Sequence, residues 1–141
     1  MAKESGLGWT GLSVDDSGGT LRDIRNDCTN MEFATPRAVQ DVTGVDKYAM
    51  ERLLLLTDMS MTLNLVFNPA ANMSHDVFKT VPSSSIAREF TLTVSGQTLG
   101  TTPLCTLLPT DYALTRGADG SLVGQVPMVL ANGAVPTWTS A

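Results

Sequence analysis

The residue types in this chain that could do chemistry are few. There is one histidine, His75, between Ser74 and Asp76. A histidine, a hydroxyl and an orienting carboxylate can make a nucleophilic triad when they converge. The G-x-S-x-G turn that presents such a serine does not occur. A lone histidine also lacks the companions that a zinc ion takes as ligands. The expectation for His75 is a structural residue on a helix, exposed or partly buried.

The carboxylate pairs Asp15-Asp16 and Asp23/Asp27 could share acid–base work if buried side by side. They fall instead in a Gly/Ser-rich stretch and beside Arg22 and Arg25, which implies solvated charges or salt bridges at subunit contacts. The run from Asp15 to Gly19 lacks the alternating oxygen ligands and terminal Glu of a calcium loop. Phosphate-cradling glycine motifs are absent as well. Met59 and Met61 sit at strand spacing among leucines, as core residues do. Catalytic, cofactor and metal-binding residues are therefore all expected to be none, and the chain is expected not to be an enzyme.

What must be positioned, then, is surface. A length of 141 residues fits one domain. Hydrophobic residues make up 43% and charged residues 16%, against a usual charged share of about 25%. A surface so poor in charge suits a subunit covered by neighbours. The net charge of −5 argues against a basic nucleic-acid binder, yet an acidic or polar wall is one that DNA can slide past without adhering. No apolar run reaches the roughly 20 residues that span a bilayer, so no membrane partner is expected. The first six residues do not read as a secretory signal, which implies folding in the cytoplasm where the chain is made. There, Cys28 and Cys105 are expected as small hydrophobes rather than a disulfide.

Residues 1–20 are rich in Gly, Ser and Thr and read as an N-terminal arm, with an extended piece over residues 9–14. Residues 21–141 read as a single β domain. Strands are expected over residues 29–34 and 39–43. Residues 45–57 have the composition of a helix, yet Leu53, Leu54, Leu55 and Leu56 are apolar on every side, which a surface helix avoids. On an exposed element, such a run marks an interaction site.

Residues 58–67 alternate cleanly, with Met59, Met61, Leu63, Leu65 and Phe67 on one face and Ser60, Thr62, Asn64 and Val66 on the other. Asn68-Pro69 ends that strand and starts a helix expected over residues 70–80. Residues 87–95 form a second alternating strand, with Phe90, Leu92 and Val94 opposite Thr91 and Thr93. Further strands are expected over residues 104–108, 112–115 and 122–130, and Asn132-Gly133 predicts a hairpin that brings residues 135–139 back. The count is about seven strands and one or two short helices.

The order of these pieces resembles the short, single-domain tail-tube (major tail) proteins of long, flexible-tailed, siphovirus-type bacteriophages. The likeness runs from about residue 21 to the end of the sequence. It takes in Leu21-Arg22-Asp23-Ile24, Asp41-Val42-Thr43-Gly44, the loop over residues 48–57 and Asp58-Met59-Ser60-Met61-Thr62-Leu63. It continues through Phe67-Asn68-Pro69, the helix with His75 and Phe78, and the strands over 90–94 and 122–130. Leu54 to Thr57 stand where the family usually carries a glycine ahead of the residue matching Asp58.

The resemblance implies a mainly β fold of two packed antiparallel sheets, sandwich- or barrel-like, with a short flanking helix. It implies homohexameric rings that stack into a tube, with a tape-measure protein, tail terminator and distal tail proteins as partners. Phage DNA would pass through the lumen without specific contacts, and the protein would reside in the virion tail after assembly in the host cytoplasm. Trp9, Tyr48, Met50, Glu51, Arg52 and the four leucines are expected at subunit contacts. One polar strand face, either Ser60/Thr62/Asn64 or Thr91/Thr93, is expected at the lumen. A different virion part, a head decoration or a neck (head–tail connector) protein, is the alternative.

Overall fold

The computed structural model describes residues 3 and 5–140. It contains twelve strands and one short helix. The chain opens with β1 (Gly11–Asp15), β2 (Leu21–Asp23), β3 (Cys28–Ala34) and β4 (Arg37–Asp41). There follow β5 (Arg52–Thr57), β6 (Ser60–Val66) and α1 (Ser74–Phe78). The remainder is β7 (Arg88–Val94), β8 (Gln97–Thr102), β9 (Thr106–Pro109), β10 (Ala113–Arg116), β11 (Leu122–Leu130) and β12 (Thr137–Ser140).

All pairings are antiparallel, and ten strands form one sheet, seven along a continuous path with β1, β2 and β10 branching from it. That sheet folds into two halves over a shared core. One half carries β2, β1, β7, β8 and β12; the other carries β9, β11, β6 and β3, with β10 on β11. Strand β7 joins the halves, because Arg88 and Glu89 pair with β9 while Phe90 to Thr93 pair with β1. This is the two-sheet architecture expected from the sequence.

Alternation decides what fills the space between the halves. Met61, Leu63 and Leu65 from β6 meet Val126 and Met128 from β11 on one side, and Leu12, Val14, Phe90, Leu92 and Leu99 come from the other. Each fully buried aliphatic or aromatic side chain of this kind contributes about 1.5–3 kcal/mol. Gly100 of β8 shows how close the neighbouring strand β7 comes: its φ is +109°, and a Cβ there would lie 2.3 Å from the carbonyl oxygen of Phe90. Pro127 sits in mid-strand without harm. Its carbonyl receives Thr110 N at 3.0 Å, so its nitrogen faces the break between β9 and β10, where no ladder bond is lost.

Several expectations change. The extended piece over 9–14 becomes β1, and Leu12 and Val14 are core residues despite their Gly-rich setting. The helix expected over 70–80 shrinks to α1, because Asn72 takes a left-handed conformation (φ 65°) that breaks the right-handed run. Residues 45–57 form no helix; the leucines pair as strand β5. Asn132-Gly133 makes a turn but no hairpin, since β12 crosses to pair with β8 instead of β11. Asp15 and Asp27 are buried rather than solvated. Both cysteines are free, with Cys105 buried and Cys28 half-buried. Among the described residues, no helix is long and apolar enough to cross a membrane.

Candidate assembly interface

Strands β3 and β6 of the main sheet are linked by a two-stranded ribbon, β4–β5, which pairs only with itself. Val39 lies opposite Leu54 and Gln40 opposite Leu53. Asp58 N donates to the Pro36 carbonyl at 2.9 Å and closes its base. At the far end, Thr43 Oγ1 donates to Asp41 at 2.6 Å and accepts Glu51 N at 2.8 Å. Lys47 reaches Glu51 at 3.6 Å.

None of the ribbon joins the core. Leu53, Leu54, Leu55 and Leu56 are 53%, 63%, 43% and 87% exposed, so neither face is covered. Tyr48 and Met50 are exposed too, as are Glu51 and Arg52. Of the eighteen large apolar side chains exposed among the described residues, nine lie between Val39 and Leu56. A two-stranded hairpin is marginal alone in water, and an apolar patch on this scale marks a contact surface.

Trp9 stands elsewhere. It is half-buried and packs against its own core, and Arg25 Nη1 donates to its carbonyl at 3.2 Å. Its indole Nε1 is buried and has no acceptor among the described residues. Beside it, an open groove is lined by Gly6, Trp9, Leu12, Arg25, Cys28, Thr29 and Met31.

The two candidate polar faces lie on different halves. Ser60, Thr62 and Asn64 face outward from β6, flanked by Ala34, Glu32 and Asn30 of β3 and by Val129, Pro127 and Gln125 of β11. That face holds one charge, Glu32, and no cation. Thr91 and Thr93 face outward between β1 and β8, opposite Ser13 and Gly11, and Thr93 Oγ1 is 3.3 Å from Thr98 Oγ1. Both faces are polar: Glu32 is the charge on the first, and hydroxyls dominate the second, with Asp23 opposite Ser13 at its edge. Strands β3 and β10 each have one unpaired edge.

The groups that looked chemical serve the fold. His75 Nδ1 lies 3.1 Å from the Tyr112 hydroxyl, and its ring packs 4.6 Å from Phe67. Burial raises the Tyr112 hydroxyl above its ordinary pKa. Asp16 accepts Gly18 N, Thr20 N and Arg22 Nε, and the Thr20 N–H, with help from Arg22, holds its carboxyl below the usual range. Burial pushes the Cys105 thiol up to about 11. Among the described residues, no three His, Cys, Asp or Glu side chains cluster as metal ligands would.

Arg88 escaped the reading of the sequence. It is fully buried, donates through Nη1 to the carbonyls of Asp15 at 2.8 Å and Val77 at 2.6 Å, and stacks over Phe78 at 5.4 Å. Its parity with Phe90 and Leu92 in the alternating strand was the available signal.

Neither a family model nor a curated protein matches this sequence. Solved structures do match. A chain from the virion of a native gene transfer agent particle superposes with a TM-score of 0.63 at 13% identity, covering 92% of this chain and 95% of that one. A chain from the tail of an empty gene transfer agent particle, determined by helical refinement with C6 symmetry, gives 0.62 at 13% identity, over 92% and 93%. The fold is shared with these chains. At that identity the likeness is one of architecture, and it extends over nearly the whole of both partners.

Proposed function

We propose that the chain is the repeating subunit of a phage-type tail tube: a non-enzymatic virion protein whose copies form hexameric rings that stack into a conduit for DNA. The observation that carries this reading is the β4–β5 ribbon, apolar on both faces and without a partner in its own chain. Its setting, a fold shared with a chain of a C6-symmetric tail, supports the same reading. A surface of that kind is a liability in a monomer and a joint in an assembly.

Rings form, in this reading, by joining the free edge of β10 in one copy to the free edge of β3 in the next. Closure removes both edges. The face of Ser60, Thr62 and Asn64 then lines the lumen, because the joined strands belong to that half. A wall of hydroxyls and amides, with Glu32 as its charge, offers DNA no cation to bind. Trp9, Tyr48, Met50, Glu51, Arg52 and the four leucines serve contacts between copies. A tape-measure protein in the lumen, with terminator and distal tail proteins at the ends, completes the partners. The mature location is the virion tail, after synthesis in the host cytoplasm.

Negative-stain electron microscopy of the purified chain, with its mass in solution, tests this. Rings or hollow polymers are expected. A protein that stays monomeric at high concentration overturns the reading, and a trimer found on capsids points to a head or neck part.

A further inference from the structure

The ribbon and the Trp9 groove lie at opposite ends of one strand. Strand β3 begins at Cys28, beside the groove, and ends at Ala34, with two residues between it and the start of the ribbon at Arg37. Seven extended residues separate the two by about 20 Å. A surface at one end that fits a different surface at the other end generates an open, head-to-tail filament.

The two surfaces also complement each other chemically. The ribbon offers leucines with nothing to cover them. The groove offers Trp9, Leu12, Cys28 and Met31 as apolar lining, with an indole N–H that has no acceptor among the described residues. A buried donor without an acceptor is destabilising, and the unpaired edge of β5 carries free carbonyls. The ribbon's far end carries Asp41, Asp46 and Glu51 against two cations, Lys47 and Arg52, so one negative charge is left over, and Arg25 stands at the rim of the groove. Gly6 lies over the indole nitrogen, where a Cβ would come within 3.9 Å of it. The glycines at 6 and 8 let that segment shift as a strand arrives.

We infer that the groove between residues 6–9 and the start of β3 is the receptor for the β4–β5 ribbon of a second copy, and that this contact joins one ring to the next. The inference rests on the tube reading and adds to it the site where the ribbon docks. The leucines of β5 fill the groove, and a β5 carbonyl accepts the Trp9 indole N–H.

Two full-length variants test it, Thr29→Cys in the groove and Leu54→Cys on the ribbon, each in a Cys28→Ser background. They are mixed, allowed to polymerise and oxidised mildly. The expected result is a disulfide-linked heterodimer that neither chain yields alone. Polymers without that heterodimer overturn the inference, as do homodimers of the Leu54→Cys chain, which would mean that ribbons pair with each other. Where a variant fails to polymerise, the natural chain answers: Cys28 should lose reactivity towards a maleimide on passing from subunit to sedimented polymer, and unchanged reactivity overturns the inference. Absence of polymer from the natural chain instead sinks the tube reading, so the two failures are distinct.

Discussion

Asp27 Oδ2 accepts the backbone N–H of Ser74 at 3.1 Å, across 47 positions of sequence. Met73, at the N-cap position of α1, gives no side-chain hydrogen bond, so a carboxylate from the β2–β3 connection does the capping. Oδ1 accepts Asn68 Nδ2 at 3.0 Å, and the residue is 2% exposed. One buried group thus fixes both the end of β6 and the start of the helix.

Replacing Asp27 with Ala should destabilise the subunit by about 2–4 kcal/mol, since two buried donors lose their acceptor. Asp27→Asn keeps one acceptor oxygen and should cost less. Urea denaturation of the three proteins reads this directly. A midpoint for Asp27→Ala equal to that of the natural chain would show that the cap contributes nothing.

Arg88 performs the matching task at the other end of α1. Its Nη1 holds the Val77 carbonyl, in the helix, to the Asp15 carbonyl at the end of β1. Arg88→Met keeps the volume but orphans both carbonyls, and should cost about 2–4 kcal/mol. Arg88→Lys keeps the charge but lacks the planar fork and the stacking over Phe78, so it should not restore the natural stability. Equal denaturation midpoints for Arg88→Lys and the natural chain would remove the fork from this account.

These two residues mark where the sequence stopped being readable. Strands β6 and β11 could be read because period-two alternation over 59–67 and a bounded run at 122–130 are local signals, and the structure keeps them nearly to the residue. Asp27 and Arg88 act on partners far off in sequence. Arg88 shares the inward parity of Phe90 and Leu92, but its charge argues against that face, and nothing local marks Asp27 as inward. Strand β1 was obscured by glycines, since Leu12 and Val14 are its whole apolar signal. The left-handed Asn72 shortened the helix for a reason that composition does not carry. The leucine run was visible as anomalous, but its pairing with residues 37–41 was not, because helix-favouring composition concealed a strand.

The turn between β1 and β2 should give the subunit part of its acid sensitivity. The Thr20 N–H and then Arg22 lower the Asp16 pKa from 3.8. A carboxylate depressed in the folded state stabilises fully above its unfolded value, and the effect is lost as pH falls through the folded one. The gap in melting temperature between the natural chain and Asp16→Asn should therefore be steady near neutrality and close below about pH 4. A gap that stays constant down to pH 2 would mean that the turn's hydrogen bonds do not depend on the charge.

In the proposed assembly, the ribbon serves contacts between copies and not the fold of its own chain. Leu54 and Leu55 are exposed and outside the core, so Leu54→Asp with Leu55→Asp should shift the subunit's stability by no more than about 0.5–1 kcal/mol. The same pair should abolish polymers, because burying either carboxylate in an apolar contact is costly. Sedimentation and thermal melting, run on one preparation, give both readouts. Normal polymers from this variant would remove the ribbon from the interface.

The lumen face can be decided by chemistry on intact tubes. Thr62 and Thr91 lie on the outward faces of different halves, so single cysteines placed there sample the two alternatives. If the proposed tube forms, the wall of its narrow lumen should exclude a bulky reagent while admitting a small one. Thr62→Cys in a tube should therefore react with a small maleimide and resist one carried on a long polymer, whereas Thr91→Cys should treat the two reagents alike. The reverse pattern would put the hydroxyl face of β1, β7 and β8 at the lumen. The ring joint would then have to run through β2 and β12, the outermost strands of that half, instead of β3 and β10.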